Sequence, residues 1–223
     1  MPLIHHSEYS TISLRVWQIQ ETESELWTFL GSWPVLEDEL AAIKSVQRRL
    51  ERLATCALLK QHFGVIMPVL YNPDGKPMLE NGYNLSISHS GPYVAIMVSQ
   101  TQEVAVDLEW LDPRAKPGES RISRVSHKFL NQTEIAFVKP YTPAEQAWMH
   151  SVIWSSKEVL FKLYSKGGVD FKEHLHILPF QPIVCSSIEA RIQKSDFEAT
   201  FRLHVENHHR WMMVYSAQMS RAD

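Results

Sequence analysis

Apolar positions recur at steps of three and four between Glu39 and Phe63, where Leu40, Ile43, Val46, Leu50, Leu53 and Ala57 share one stripe, and this period predicts an amphipathic helix. Gly64 is its expected stop, since glycine accepts the left-handed conformation that closes a helix. A second long helix is announced by its start. Thr142-Pro143-Ala144-Glu145 combines an N-cap threonine, a proline at the first helical position and a capping-box glutamate, and the helix should run to about Ser165, before Gly167-Gly168. Glu119 to Leu130 reads as a further helix. Elsewhere, extended segments are predicted at Ser13–Ile19, Asn84–Ser88, Tyr93–Val98 and Glu103–Glu109. They recur at Ile188–Ile192, Phe197–Val205 and Trp211–Ala217, the last two around an Asn-His-His turn.

Two stretches punctuate this pattern. "YNPDGKPM" (71–78) is turn chemistry, with Asn-Pro and Asp-Gly steps that favour a reversal. "LDPRAKPGES" (111–120) is rich in proline and charge, a loop and a candidate junction between halves. "YVAIMVSQ" (93–100) and "WMMVYSAQ" (211–218) echo one another across that junction, which is compatible with two similar α+β halves.

Composition narrows the classes. With 44% hydrophobic and 21% charged residues in 223, the chain is globular and long enough for one sizeable domain or two small packed ones. A net charge of -3 argues against the strong, sequence-independent affinity for phosphate backbones that a nucleic-acid binder needs. Cys56 and Cys185 are the only cysteines and form no CxxC pair, so neither a disulfide framework nor a zinc ribbon is suggested. The first twenty residues lack a basic region followed by an apolar run, and no stretch of 18 apolar residues occurs, so a soluble cytoplasmic protein with no membrane partner is expected.

The candidate chemistry lies in three places. In "VAVDLEW" (104–110) Asp107 and Glu109 are two apart, and alternate side chains of a strand point the same way, so the two carboxylates project from one face. Something positive is expected to sit between them: an arginine, a lysine or a divalent cation. Hard oxygen ligands in small number suit Mg²⁺. Solvated acids on an exposed edge strand would show the same pattern. In "WSSKEVLFKLYSKGG" (154–168), Trp154, Glu158 and Lys162 are spaced four apart and share one helix face, either as a third carboxylate with a phosphate-binding lysine or as an ordinary Glu-Lys pair. His89, Ser90 and Gly91 form a turn between two strands, whose backbone N–H groups, hydroxyl and imidazole could cradle an anion or simply satisfy one another.

Taken in order, His-Ser-Gly, V-x-V-D-L-E and W-S-S-K-E-x-x-x-K resemble the 4'-phosphopantetheinyl transferase superfamily, in particular its monomeric two-half type that activates carrier proteins of peptide, polyketide and fatty acid synthesis. "RRLERLATCALL" (48–59) and Gly75-Lys76-Pro77 look like that type's basic helix and its G-K-P turn. Ala105 departs from the glycine that commonly stands there, and the Pro113–Gly118 loop is long.

The resemblance implies an α+β fold of two pseudo-two-fold related halves, 1–104 and 105–223, each a small, mostly antiparallel sheet packed on a long helix, with the active site between them. It implies transfer of the phosphopantetheine arm of coenzyme A to a serine of an apo acyl or peptidyl carrier protein, with Mg²⁺ as cofactor and adenosine 3',5'-bisphosphate as leaving group. Asp107, Glu109 and Glu158 would then hold the metal. Glu158, Lys162 and Asp107 would be catalytic, Glu158 helping to deprotonate the serine directly or through a water. His89, Ser90, Lys76, Lys162 and Arg48 or Arg49 would contact the coenzyme. Because both halves stand in one chain, a monomer is implied. A non-catalytic relative that binds coenzyme A as a partner subunit is the main rival reading, and a metal-dependent phosphatase or nuclease the lesser one. The remaining histidines are expected outside the chemistry: His5-His6 in a mobile terminus, His174 and His176 on a possible strand, and His208-His209 in a turn. The tryptophans Trp17, Trp27, Trp33, Trp148 and Trp211 read as packing residues.

Overall fold

In the computed structural model, which describes residues 3–9, 11–114, 120–182 and 186–220, the first of two units (Met1–Glu103) opens with β1 (Leu3–Tyr9) and β2 (Ile12–Gln18). Three helices follow, α1 (Glu23–Leu30), α2 (Pro34–Ala41) and α3 (Val46–Phe63), then β3 (Val69–Tyr71), β4 (Pro77–Leu79), β5 (Asn84–Ser90) and β6 (Tyr93–Ser99). The strands pair antiparallel in the order β1-β2-β6-β5-β4-β3. Leu53, Ala54, Ala57 and Leu58 of α3 share a core with Trp17, Val94 and Ile96 of the sheet. His5 and His6 are therefore not in a loose terminus, because β1 pairs along β2.

The stripe from Glu39 to Phe63 is two helices rather than one. Ser45 caps α3, its hydroxyl accepting from the Arg48 N–H, and so offers a helix start that the apolar spacing alone does not reveal. Arg49 fixes the joint, with Nη1 donating to the carbonyls of Ile43 (2.8 Å) and Lys44 (3.2 Å) and Nε to Glu23 (3.0 Å). Gly64 closes α3 at φ 75°, as expected. Helix α1, which the apolar pattern does not announce, begins at a capping box formed by Thr22 and Glu25 and ends where Lys60 donates to the carbonyls of Phe29 and Leu30.

Cys56 is buried on α3, and loss of hydration pushes its thiol up from 9.0 to about 11 despite Arg52 beside it. The thiolate is the reactive species. In the native protein Cys56 should therefore alkylate about a hundredfold more slowly than in the unfolded chain at pH 8. Peptide mapping after iodoacetamide pulses reads this directly, and equal labelling in both states would contradict it. Cys185 and residues 115–119, which include part of the Pro-rich loop, lie outside the described residues.

The second unit (Val104–Asp223) contains β7 (Val106–Trp110), α4 (Arg121–Val125), a 3-10 turn at Ser126–Lys128, α5 (Gln132–Val138), α6 (Pro143–Tyr164), β8 (Leu175–Ile177), β9 (Ser187–Lys194), β10 (Phe197–Asn207) and β11 (Trp211–Ser220). Its sheet is also antiparallel, in the order β7-β11-β10-β9-β8. Helix α6 buries Met149, Val152, Ile153 and Leu160 against Ala190, Leu203, Met212 and Val214. Its start matches the sequence, since Thr142 and Glu145 form the capping box behind Pro143. The helix expected at Glu119–Leu130 breaks up at the 3-10 turn, and α5 begins at a separate capping box of Asn131 and Glu134. The protein is thus α+β, with two sheets that each carry one long helix. No helix among the described residues is long and apolar enough to cross a membrane.

Candidate functional site

In the first unit β5 and β6 are joined at Gly91-Pro92, with Ser90 opposite Tyr93 in the register. Gly91 adopts φ 55°, a left-handed conformation that glycine takes without strain. This turn presents His89, which lies beside the first turns of α3. Arg48 Nη1 stands 3.1 Å from His89 Nε2, and Glu51 Oε2 stands 3.4 Å from His89 Nδ1. The Arg48 guanidinium is 63% exposed, so a positive group stands in solvent next to an imidazole. Arg49, its neighbour in sequence, is engaged by Glu23 at 2.8 Å and by two backbone carbonyls. Lys76 sits in the turn between β3 and β4, its backbone held by Asn72 and its ammonium paired with Glu103.

In the second unit β7 pairs with β11, placing Val214 opposite Asp107 and Met212 opposite Glu109. Val106 and Leu108 are buried in the core. Asp107 is only 7% exposed, whereas Glu109, nearer the strand end, is half-buried. Helix α6 crosses beside this strand and directs Lys162 onto it: Nζ donates to Asp107 Oδ1 (2.9 Å) and to the Val106 carbonyl (2.7 Å). The positive partner expected beside the acids is therefore Lys162 itself. One turn earlier on α6, Glu158 feels both. Burial, then the Asp107 charge, push its carboxyl up to about 7, with Lys162 pulling the other way. Trp154, a further turn back, packs its ring against Phe129 (5.2 Å between centroids) and Phe171 (5.6 Å).

A raised carboxyl beside a second acid is an electrostatic debt that a divalent cation would settle, and a hard-oxygen donor set suits Mg²⁺. Asp107, Glu109 and Glu158 do not each bring an oxygen within 4.8 Å of the others. Mg²⁺ does not require that, because it keeps several waters and takes one or two carboxylates together with substrate phosphate. The residues present fit such an ion.

The segment 103–216, which contains β7 and α6 with Asp107, Glu109, Glu158 and Lys162, matches the model of the 4'-phosphopantetheinyl transferase superfamily, and the chain belongs to that superfamily. Among curated proteins it is similar to the 4'-phosphopantetheinyl transferase AcpT of Escherichia coli K12, with 30% identity over 123 residues, and to AcpT of Salmonella typhimurium LT2, with 28% over the same length. These alignments cover 54% of the chain and 60% of each relative.

The pressure on Glu158 gives a stability prediction. Its folded value lies above its ordinary value of 4.5, so the folded state holds the proton more tightly than the unfolded one and stability falls as pH rises from about 4.5 through about 7. Glu158→Gln, which removes the titration, should make the metal-free protein about 1–2 kcal/mol more stable at pH 8 and leave it nearly unchanged at pH 4.5. Urea melts at the two pH values measure the difference, and a Gln variant that is less stable at pH 8 would refute it.

Proposed function

We propose that the protein transfers the 4'-phosphopantetheine group from coenzyme A to a serine hydroxyl of an apo carrier protein, releasing adenosine 3',5'-bisphosphate. The supporting observation is the Asp107-Lys162 pair beside Glu158, an acid poised near neutrality, within the segment that matches the superfamily. In this reaction the serine oxygen bonds to the phosphorus that bears the pantetheine arm. The P–O bond to the nucleotide half breaks, and the serine proton is lost. Such a transfer needs positioning and neutralisation of developing phosphate charge more than covalent help from the protein.

Asp107, Glu109 and Glu158 would hold Mg²⁺, which when bound neutralises pyrophosphate charge. Glu158 would take the serine proton, directly or through a water. Lys162, already oriented by Asp107 and the Val106 carbonyl, would place its ammonium against the 5'-phosphate of the departing nucleotide half. Arg48, His89, Ser90 and Lys76 would contact the coenzyme. Because Arg49 is engaged by Glu23 and the α2–α3 joint, we assign the coenzyme contact to Arg48.

Intact mass spectrometry tests the proposal. An apo acyl carrier protein incubated with this protein, coenzyme A and Mg²⁺ should gain the mass of one phosphopantetheine, and EDTA should prevent it. No gain across fatty acid, polyketide and peptide carriers, with coenzyme A still bound, would overturn it in favour of a non-catalytic binding role.

A further inference from the structure

Glu51 is a buried acid, 8% exposed, on a helix whose other buried side chains at this level are apolar or small. Sequence gives it no role, and it lies 38 positions before His89. Its carboxylate gathers three groups. Oε2 faces His89 Nδ1 at 3.4 Å and Arg48 Nη1 at 3.5 Å, while Oε1 accepts from Gln47 Nε2 at 3.1 Å. The same Gln47 amide donates its other hydrogen to the Gly91 carbonyl at 3.0 Å, tying the first turn of α3 to the His-Ser-Gly turn.

These contacts decide which nitrogen of His89 carries the proton in the neutral ring. A guanidinium has donors and no acceptor, so the nitrogen that meets Arg48, Nε2, must accept. The proton then sits on Nδ1, the atom that faces the Glu51 carboxylate. A carboxylate behind one imidazole nitrogen fixes both tautomer and ring plane, as outer partners do for metal-bound histidines. It also holds Arg48 near the same edge through the i,i+3 relation on the helix.

We infer that Glu51 is a positioning residue for coenzyme A: by orienting His89 and Arg48 together, and with Gln47 holding the turn, it preorganises a two-pronged contact for a phosphate of the nucleotide half, Arg48 through its guanidinium and His89 through Nε2, which becomes a donor when the ring takes up a second proton between the phosphate and the Glu51 carboxylate. This inference rests on the proposed assignment of His89 and Arg48 to the coenzyme. Preorganisation matters because the cost of ordering a long side chain at the moment of binding is taken out of the affinity. Glu51 removes part of that cost for Arg48 in advance.

The test is calorimetric titration of coenzyme A into the full-length protein at fixed ionic strength, together with the ¹⁵N signals of the His89 ring. Glu51→Ala should weaken coenzyme A about tenfold and replace the Nδ1-protonated signature by a mixture of tautomers. Glu51→Gln, which keeps an oxygen able to accept the Nδ1 proton, should retain the tautomer and lose less than threefold. In a His89→Ala background, Glu51→Ala should add a clearly smaller loss than it causes in the unaltered protein, because only the share that acts through Arg48 remains.

Should Glu51→Ala fail to fold, Gln47→Ala, at an exposed position, should still weaken binding about threefold. Retention of affinity by Glu51→Ala or, in its absence, by Gln47→Ala, while His89→Ala binds weakly, would overturn the inference. So would equal losses from Glu51→Ala with and without His89. Full affinity in His89→Ala would instead overturn the assignment of His89 to the coenzyme.

Discussion

Lys157→Ala is expected to destabilise the second unit by about 3–5 kcal/mol, the range for removing one partner of a buried ion pair. The Lys157 and Glu134 side chains are both 0% exposed and meet at 2.7 Å. All three ammonium hydrogens are used, since Nζ also donates to the Phe129 and Phe171 carbonyls, each at 2.7 Å. Glu134 is equally committed: Oε1 accepts from the Ile177 N–H of β8 and Oε2 from the Asn131 N–H at the start of α5. Burial pulls the Lys157 ammonium below its ordinary value, and the neighbouring carboxylate opposes that pull. Truncation at Lys157 would strand a buried carboxylate and two carbonyls at once, and such orphaned groups carry their full desolvation cost.

The effect bears on the site because Lys157 and Glu158 are adjacent on α6. With Lys157 anchored inward on Glu134 of α5 and on the Phe129 and Phe171 carbonyls, the rotation of the helix is fixed, and with it the directions of Glu158 and Lys162. Urea denaturation followed by tryptophan fluorescence would measure the loss. Pairing Lys157→Met with Glu134→Gln should cost less than Lys157→Met alone, because no charge remains unpaired. A loss below about 1 kcal/mol for Lys157→Ala would show that the pair contributes little.

That network marks the limit of what the sequence discloses. Helix α6 was legible because its signals are local: a threonine, a proline and a glutamate at fixed offsets, and acid and base side chains four apart. The hairpin of β5 and β6 was legible for the same reason. The gap between α2 and α3 was not, since Leu40, Ile43 and Val46 keep helical steps across a break that the Ser45 cap and the Arg49 contacts impose. Strand β1 was missed because its burial pattern shows no strongly apolar face; its order comes from its pairing with β2. Helices α1 and α5 each carry a capping box in plain sequence, Thr22 with Glu25 and Asn131 with Glu134, but both are short and their apolar stripes narrow. Of the site, spacing paired Asp107 with Glu109 on a strand and Glu158 with Lys162 on a helix, and the family resemblance implied that the two pairs belong together. What they could not disclose was that Lys162 reaches Asp107 directly, or that Glu51 stands behind His89, because both contacts join side chains far apart in sequence on a helix and a strand that only the fold brings together.

Asp107→Asn should reduce phosphopantetheine transfer by about a thousandfold or more, roughly 4 kcal/mol of transition-state stabilisation, the several kcal/mol that loss of a metal-ion charge clamp represents. Asparagine keeps the shape of aspartate and can still accept from Lys162, so the strand and its core neighbours Val106 and Leu108 should remain in place and thermal unfolding should change little. What changes is charge. Without the aspartate, Lys162 loses its ion-pair partner and Glu158 loses the neighbouring charge that helps raise its carboxyl. The proposed cation would lose one of its three anionic groups. Single-turnover assays with saturating coenzyme A and carrier protein separate this from weakened binding, because an interaction made mainly in the transition state lowers kcat while leaving substrate affinity close to its original value. Raising Mg²⁺ should recover part of the rate if Asp107 acts through the metal. A variant that turns over at near-normal rates at ordinary Mg²⁺ would remove Asp107 from the chemistry and leave it as the side chain that orients Lys162.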